Sequence, residues 1–521
     1  MDITANIKMG QTILKWHKKG YIMGPYPEDH PIKKKCRINP VFCVPKPGDE
    51  VRPVVNYSKA IKGKSLNDLL DPEWCTVEYI KIKEIVFTIH AVGKGAMMWA
   101  KDLEDGYFNI KVHPSVTKQM AWVFAGLLFI PMVMIFGLST APLIFTMFMW
   151  FVVSAIRLTD SDVMWLAKPM KGFDKSVFQT DADLIPDHEK QLIYFPLIMY
   201  YLDDIFGVHT PELVQKQYNL AGKTLLKLGL SAKESKDKPP ANVQIILGLE
   251  FDSIAQEVRV PQDKVDKYSQ HGRSLMRMKQ ITKRDLFSLT GKVRWSAMYC
   301  RPLAAYARGI EIYGHKHNLQ WHHHINMNNA LKRDINLVIE GLQTLRKRGT
   351  SFEFILHPKD CIQMEAFTDA AGSIGIGGYV AIDQAPYFQV KWSEVHMNSN
   401  RDIQWKELVA IVVLIECNAS RFRNKYVCIW SDNRPVIDML IKWRATLRRP
   451  DLQHLIRKIA KICIDYNIRP WWEHIEGKRN VIADRLSRFH QKPFEFARTK
   501  PREHAHSRAA TYLQKNIDLC E

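Results

Sequence analysis

The sequence predicts a multidomain protein of the α+β class, in which sheet-rich and helix-rich regions follow one another along the chain. Three observations support this prediction. At 521 residues the chain is too long for a single hydrophobic core. Its composition, 46% hydrophobic and 25% charged, is typical of a folded globular protein. Short apolar runs separated by Gly and Pro turns give way, further along, to apolar residues at helical spacing.

Changes in these patterns predict four regions. Residues 1–252 mix short strands and turns, which predicts an α+β region with a sheet at its centre. Residues 253–357 are basic and helical in pattern, which predicts a helical connector. Residues 358–490 place three strands before alternating helices and strands, which predicts a compact mixed α/β domain. The polar, basic tail 491–521 is expected to be loosely ordered.

Charge and cysteine usage limit the partners and the compartment. Lys and Arg number 74 against 54 Asp and Glu, and the formal net charge of +20 favours a polyanion such as nucleic acid as the partner. Ribosomal and membrane-surface proteins share such a balance, so the charge alone leaves these classes open. The nine Cys include no C-x-x-C pair, so we expect neither a zinc site nor disulfides, and a reducing, cytoplasmic or nuclear location.

One uncharged run, from Ala121 to Ile156, is long enough to cross a bilayer. Pro131, Gly137 and Pro142 interrupt it, so a strand pair leading into a buried helix is the favoured interpretation. The first ten residues, MDITANIKMG, lack the apolar core of a signal peptide. We therefore expect no membrane association.

Two adjacent acids occupy the centre of one apolar segment. Asp203 and Asp204 stand between the aromatic-rich runs of residues 198–208, as at the tip of a β-hairpin. Two carboxylates in a hydrophobic setting resist ionisation unless a cation compensates them, which favours a divalent metal site. For an Asp-Asp pair by itself, an ordinary polar turn is the alternative.

Two further blocks favour the metal site over the polar turn. In AMMWAKDLEDGYFNI, Asp102 ends an apolar run, and Asp105, Gly106 and Tyr107 follow it. In FGLSTAPLIF, Gly137 allows a close backbone approach and the next proline begins a helix. The order of these blocks along the chain is more specific than any one of them.

The blocks, in their order over residues 40–250, resemble the motifs of retroelement reverse transcriptases. The resemblance implies a right-hand polymerase, with fingers, palm and thumb, followed by the helical connection. It implies Asp102 and Asp203 as principal ligands of two Mg²⁺ ions, with Asp204 adjacent, the carbonyl of Leu103 assisting and Mn²⁺ as a substitute. Such ions would activate the primer 3′ hydroxyl and neutralise charge on the leaving pyrophosphate.

The resemblance also implies substrate contacts. Tyr107 matches an aromatic gate that favours deoxynucleotides, and a core aromatic is its alternative role. Arg52 and Lys46 would contact the triphosphate, with a solvated surface charge as the alternative. Lys236 matches the lysine that protonates the departing pyrophosphate, and Lys233 is its rival. The remaining implied contacts are Asp105, Gly106, Phe136 and Gly137 at the nucleotide, and Gly248 and Leu249 at the primer end.

The sequence departs from the reverse transcriptase pattern at two places. Asn56-Tyr57-Ser58 stands where the family usually has Asp-Tyr-Arg or similar. Between Pro142 and Tyr201 the chain is longer than in the compact retroviral arrangement, and residues 157–196 look like a surface insertion, about one extra loop in length.

A second set of acids lies in the C-terminal region. Asp369 ends one predicted strand, Glu407 lies on a helix, Asp432 ends another strand, and Asp484 falls in NVIADRLSR. Each alone is explained as a cap or a surface residue. Together with TDAAGSIGIGG, KELVAI, WSDN and ADRLSR, they resemble ribonuclease H, an α/β domain. The resemblance implies that the four acids bind two Mg²⁺ ions and that His474 assists product release; a half-buried structural His is the alternative.

The segments HIEGKRNVIADRLSRF and SLTGKVRWSAMYCRPLAAYARGI resemble most those of DIRS and Gypsy-related retrotransposons. The implied function is an RNA-directed DNA polymerase that extends a DNA primer with dNTPs on an RNA template and removes the RNA strand of the RNA:DNA hybrid. The alternatives are a polymerase of another preference and a catalytically silent nucleic-acid-binding or structural subunit. Because the sequence shows no protease, integrase or recombinase segment, we expect a processed product or part of a polyprotein.

Overall fold

The computed structural model describes residues 3–46, 50–61, 63–178, 183–297, 301–315, 320–383, 385–394 and 401–490. The chain divides into two compact units, Met1–Leu247 and Gly248–Glu521. The division falls slightly before the predicted domain edge at residue 252, and the other predicted edges stay predictions. The tail 491–521 lies outside the described residues.

The first unit combines several small sheets with helices. Its helices are α1 (Ile3–Lys18), α2 (Ile82–Val92), α3 (Pro114–Thr117), α4 (Ala141–Arg157), α5 (Ser161–Met164) and α6 (Val214–Lys227). Its strands are β1 (Ile22–Pro27), β2 (Val41–Pro45), β3 (Val51–Val55), β4 (Met97–Asp102), β5 (Trp122–Phe124), β6 (Leu127–Pro131), β7 (Trp165–Pro169), β8 (Ile185–Asp187), β9 (Leu192–Pro196), β10 (Ile198–Tyr201), β11 (Asp204–His209), β12 (Lys238–Ala241) and β13 (Val243–Ile246).

A four-stranded sheet in the order β10-β11-β4-β12 organises the first unit. Its neighbouring strands pair antiparallel. Helices α4 and α6 cover this sheet, and Trp99, Phe145 and Val214 are among the buried side chains that join them. Burial of such large apolar side chains stabilises the sheet by about 1.5–3 kcal/mol each, before entropic costs. The sheet is therefore a rigid support for residues at its strand ends.

The uncharged run from Ala121 to Ile156 forms the strand pair β5–β6 and most of helix α4, as predicted, but the helix is buried on one face only, since Met147, Trp150 and Phe151 are exposed. Pro142 lies in the first turn of α4, where the missing N–H costs no hydrogen bond. None of the helices that the structure describes combines the length and the hydrophobicity that a membrane span requires.

Residues 157–196, which the sequence analysis took for a surface insertion, contain a folded three-stranded antiparallel sheet in the order β7-β9-β8. This inserted sheet has a small core of its own. The ring of Phe87 on α2 lies 5.5, 5.3 and 5.4 Å from those of Phe173, Phe178 and Phe195. The sequence analysis did not predict this core, because these aromatic residues follow no regular spacing and no periodic pattern marks them.

The second unit begins with helices and ends with a mixed sheet. Its helices are α7 (Gln262–Arg277), α8 (Lys283–Ser296), α9 (Leu303–His315), α10 (Asn329–Lys347), α11 (Phe352–Leu356), α12 (Ile403–Phe422), α13 (Arg434–Lys442), α14 (Pro450–Tyr466) and α15 (Val481–Ser487). Its strands are β14 (Leu249–Asp252), β15 (Glu257–Arg259), β16 (Gln280–Thr282), β17 (His324–Asn326), β18 (Thr350–Ser351), β19 (Met364–Ala371), β20 (Gly375–Val380), β21 (Tyr387–Lys391), β22 (Tyr426–Ser431) and β23 (Arg469–His474).

A five-stranded sheet in the order β21-β20-β19-β22-β23 forms the C-terminal part of this unit. The first three strands pair antiparallel, whereas β22 and β23 join in parallel. This is the predicted order of three strands followed by alternating helices and strands. Helix α12 is buried on all sides over residues 408–415, which explains why its sequence is apolar without a polar face.

Two candidate carboxylate sites

The first site lies where two strands of the four-stranded sheet end. Strand β4 ends at Asp102, β11 begins at Asp204, and the strand register places these two residues opposite each other. Asp203 occupies the turn between β10 and β11, and its carbonyl oxygen accepts a hydrogen bond of 2.7 Å from the backbone N–H of Leu103. The structure thus brings together the three acids that the sequence analysis selected, and it places the pair on a hairpin tip as predicted.

Burial governs the charge of this first cluster. Burial, reinforced by the charge of Asp102, raises the pKa of Asp203. Burial and the two neighbouring carboxylates raise the pKa of Asp204 to about 6. The site therefore concentrates negative charge that is costly without a compensating cation.

A lysine supplies part of that compensation. The Nζ of Lys236 lies 2.5 Å from Oδ2 of Asp102. Partial burial acts against protonation, but Asp102 and the other two acids hold the pKa of Lys236 above its ordinary value. The rival candidate, Lys233, meets Asp102 through its backbone, donating its N–H to the carbonyl oxygen at 2.8 Å. The geometry thus favours Lys236 over Lys233 as the side chain that can act at this site.

Tyr107, which follows Asp102 by five residues, packs in an aromatic cluster. The ring of Tyr107 packs 5.3 Å from Phe136 and 5.1 Å from Phe145. Burial raises the pKa of Tyr107 to about 12, with Tyr79 and Asp203 adding to the shift, so the phenol stays neutral.

The guanidinium of Arg52 lies 4.4 Å from the centre of the Phe136 ring. A Cβ on Gly106 would lie 4.0 Å from Oδ2 of Asp203, which puts that backbone beside the acids.

Gly137 is required by its surroundings. Its φ is +119°, and a Cβ there would lie 1.9 Å from the carbonyl oxygen of Val55, so only glycine fits. Asn67 holds the same loop, because its Nδ2 donates to the Gly137 carbonyl at 3.1 Å and its Oδ1 accepts from the Ser139 N–H at 3.1 Å. The sequence analysis missed Asn67, since nothing in its local pattern signals a contact so distant in the chain.

Two predicted nucleotide contacts have partners of their own. The carboxylate of Asp105 accepts hydrogen bonds from Lys19 Nζ at 2.7 Å and from the Tyr21 hydroxyl at 2.5 Å. These bonds hold a residue whose φ is +64°, so Lys19 and Tyr21 fix the turn beside the acids. The Nζ of Lys46 lies 3.8 Å from Glu50 on an exposed surface. No described contact brings Lys46 to the three acids.

The second site gathers acids from three separate elements. Asp369 lies on β19, Glu407 on α12, and Asp432 directly after β22. One carboxylate oxygen from each lies within 4.8 Å of the others. Among the described residues, no other set of three such side chains meets this distance. The strand extends to Ala371, so Asp369 lies inside β19 and not at its end as the sequence analysis expected.

The acids of the second site are more deeply buried. Burial raises the pKa of Asp369 to about 6, although the Ser487 hydroxyl opposes the shift from 2.5 Å away. Burial, with Asp369 and Asp432 adding, holds the pKa of Glu407 well above its ordinary range. Burial also raises the pKa of Asp432. Three hard oxygen donors at this spacing fit a divalent cation such as Mg²⁺.

Two other predicted residues lie at the edge of the second site. Asp484, on α15, is outside the group of three, and its carboxylate accepts a 2.6 Å hydrogen bond from Arg488. Its charge nevertheless raises the pKa of Asp369 and Asp432. The Nε2 of His474 lies 3.1 Å from the carbonyl oxygen of Asp432. The sequence analysis missed Ser487, which follows Asp484 by one helical turn.

The two residues predicted at the primer end belong to the second unit. The φ of Gly248 is +77°, and its carbonyl oxygen accepts a hydrogen bond of 2.9 Å from Lys264. Leu249 is fully buried at the start of β14. Their assignment to a primer stays a prediction.

No protein-family model and no curated protein matches the sequence. Among solved structures, a foamy viral protease-reverse transcriptase dRH with double-stranded DNA is similar at 14% identity and a TM-score of 0.48, over 91% of this chain and 70% of that chain. Two structures of the foamy viral protease-reverse transcriptase, one in complex with double-stranded DNA and one with an RNA/DNA hybrid, are each 12% identical with a TM-score of 0.45. They cover 92% and 96% of this chain, and 84% and 56% of those chains. These scores are too low to decide a function, which has to follow from the two carboxylate sites.

Proposed function

We propose that this chain is an RNA-directed DNA polymerase of a retroelement, with a second active site that cleaves the RNA strand of an RNA:DNA hybrid. The observation that carries the proposal is the convergence of acids from distant parts of the chain. Asp102 meets the Asp203-Asp204 pair, and Asp369 and Glu407 meet Asp432. Burying carboxylates together is unfavourable unless a cation compensates them, so a purely structural protein gains nothing from either cluster.

The donor set of each cluster suits Mg²⁺, with Mn²⁺ as a substitute, because both ions prefer carboxylate oxygens. Asp102, Asp203 and Asp204, with the Leu103 carbonyl, would hold the metal of the polymerase site. Asp369, Glu407 and Asp432 would hold that of the nuclease site, with Asp484 at its edge. When bound, the ions would activate the attacking hydroxyl or water and neutralise charge that develops on the phosphate groups.

The chain's own residues provide the rest of the polymerase chemistry. Lys236 keeps a proton next to Asp102, where it can protonate the departing pyrophosphate as a general acid. Arg52 can grip a phosphate with two parallel hydrogen bonds. The ring of Tyr107, held between Phe136 and Phe145, would exclude a ribose 2′ hydroxyl by steric clash. These roles require a deoxynucleotide triphosphate as the substrate.

The nucleic-acid partners are part of the same proposal. An RNA template, a DNA primer and the hybrid they form would follow the basic helices α7 and α8, whose sequences carry several Lys and Arg. Such contacts recognise the backbone and its shape and read little base sequence. The right-hand arrangement of fingers, palm and thumb and the DIRS or Gypsy origin belong to this proposal too.

Primer extension on an RNA template, with deoxynucleotides and Mg²⁺, tests the polymerase half. Wild-type protein should lengthen the primer, and Asp203→Asn should not, because it removes a charged metal ligand. Glu189→Gln is the matched control, since this acid is exposed in the turn that joins β8 to β9. No product from the wild type, or full product from Asp203→Asn, would overturn the proposal; product with ribonucleotides only would show a different polymerase.

A further inference from the structure

We propose that Arg157 is a positioning residue, which together with Asp183 of the insertion fixes the hairpin that carries Asp203 and Asp204. The inference rests on the proposed polymerase function for its catalytic consequence. Its structural part, a clamp on the hairpin, can be measured without any activity. The insertion departs from the retroviral pattern, so the clamp would be a feature of this chain.

The clamp begins at the end of helix α4. The side chain of Arg157 is buried, with 4% of the residue exposed. Its Nε and Nη2 donate hydrogen bonds of 3.1 and 2.6 Å to the carbonyl oxygen of Ile198. Ile198 is the first residue of β10, the strand that leads to the acidic turn. One guanidinium therefore holds the base of the hairpin through two donors.

The negative charge of Asp183 offsets the cost of burying the Arg157 guanidinium. The Nη1 of Arg157 donates to Oδ1 of Asp183 at 2.9 Å, and Asp183 belongs to the insertion, two residues before β8. Burial lowers the pKa of Arg157, and the charge of Asp183 acts against that shift. A buried guanidinium without a partner is strongly unfavourable. The insertion thus supplies the counter-charge on which the grip on Ile198 depends.

The inserted sheet is also continuous with the hairpin. Only Leu197, which is fully buried, separates β9 of the insertion from β10. The N–H of Leu197 donates to the Met164 carbonyl at 2.9 Å, and its own carbonyl accepts from the Val208 N–H at 3.0 Å. A displacement of the inserted sheet would therefore move the strand that ends at the acids.

Two single variants break the clamp in different ways. Asp183→Asn removes the counter-charge, and Arg157→Lys keeps the charge but loses the two-donor grip. Lys190→Gln is the control, because it removes an exposed charge from the same insertion. We expect faster hydrogen exchange of the amides in residues 198–209 in both variants and not in the control. Primer extension should lose roughly 10- to 100-fold in kcat with little change in the KM for dNTP, since misplacement of reacting groups has such effects.

A double variant separates positioning from mere stability. Arg157→Met with Asp183→Leu leaves no unpaired charge, so thermal stability should return towards that of the wild type. Because no donor holds the Ile198 carbonyl, kcat should stay low and the exchange of the hairpin amides fast. A stable double variant with wild-type kcat and wild-type exchange would overturn the clamp. If the wild type extends no primer, the polymerase proposal fails, while hairpin exchange still supports or overturns the clamp.

Discussion

The two carboxylate clusters differ in how their charge is compensated. In the first, Lys236 reaches Asp102 directly. In the second, the described hydrogen bonds to Asp369 and Glu407 come from neutral donors, namely the Ser487 and Ser431 hydroxyls and the Ala370 N–H. The first cluster therefore has a cation bonded directly to one of its acids, whereas in the second Arg488 is bonded to Asp484 at the edge of the site and acts on Asp369 and Asp432 only through its charge. The same residue types thus give one site a lysine that contacts an acid directly and leave Asp369 and Glu407 of the other with neutral hydrogen-bond donors.

The largest expected effect concerns the second cluster. Glu407→Gln replaces the most buried of its acids with a neutral amide of the same shape. We expect RNA cleavage in a hybrid to fall by about 10³-fold or more, because a metal contributes several kcal/mol of charge stabilisation. Primer extension should continue. Cleavage at the wild-type rate by Glu407→Gln would show that the second cluster is not the site of RNA cleavage.

The next effect concerns the lysine that only the first cluster has. Lys236→Met should lower kcat for primer extension by about 10²- to 10⁴-fold, the usual contribution of a general acid. RNA cleavage should not change. Lys233→Met is the matched control, since Lys233 meets Asp102 through its backbone. A greater loss from Lys233→Met than from Lys236→Met would reverse the assignment.

Stability without metal should depend on pH at the second cluster. The folded-state pKa of Asp369 is raised from 3.8 to about 6, so its contribution is fully present below the lower value and is lost as pH rises through the higher one. The free energy of unfolding should fall by up to about 3 kcal/mol across this range.

Thermal unfolding in a chelator, measured from about pH 4 to 7, checks this expectation. Asp369→Asn should flatten the curve, and Mg²⁺ should restore stability near neutral pH by binding the ionised acids. The expectation would be contradicted if the stability of the metal-free protein rose steadily across this range with the same slope in Asp369→Asn. Ionisation of Asp369 would then not destabilise the folded protein.

The smallest effects separate two predicted phosphate contacts of the first site. Arg52 lies over the Phe136 ring, and we expect Arg52→Gln to raise the KM for dNTP by roughly tenfold, as expected for a lost charged hydrogen bond. Lys46 pairs with Glu50 on the surface, so Lys46→Gln should change KM by less than about twofold. Steady-state kinetics at several dNTP concentrations measures both. Equal increases in the KM for dNTP from the two variants would show that Lys46 also contacts the nucleotide.

The sequence placed Asp102 at the end of a strand and Asp432 next to one because a regular apolar pattern stops at each of them. The apolar runs around Asp203 identify a hairpin, and the turn of a hairpin lies between the two strands whatever surrounds it. Contacts made across the fold left no such signal. Asn67 and Ser487 lie in stretches of sequence with no distinctive pattern. Only the folded chain brings Asn67 to Gly137 and Ser487 to Asp369. The core of the insertion was missed for the same reason.

The central claim is that one chain extends DNA at one cluster and cuts RNA at the other. A single reaction tests it directly, using an RNA template annealed to a DNA primer, each strand labelled with a different dye, in the presence of dNTPs and Mg²⁺. Wild-type protein should lengthen the DNA and shorten the RNA, Asp203→Asn should only shorten the RNA, and Asp369→Asn should only lengthen the DNA. A wild type that changes neither strand, or a single substitution that abolishes both changes in a folded protein, would contradict the account.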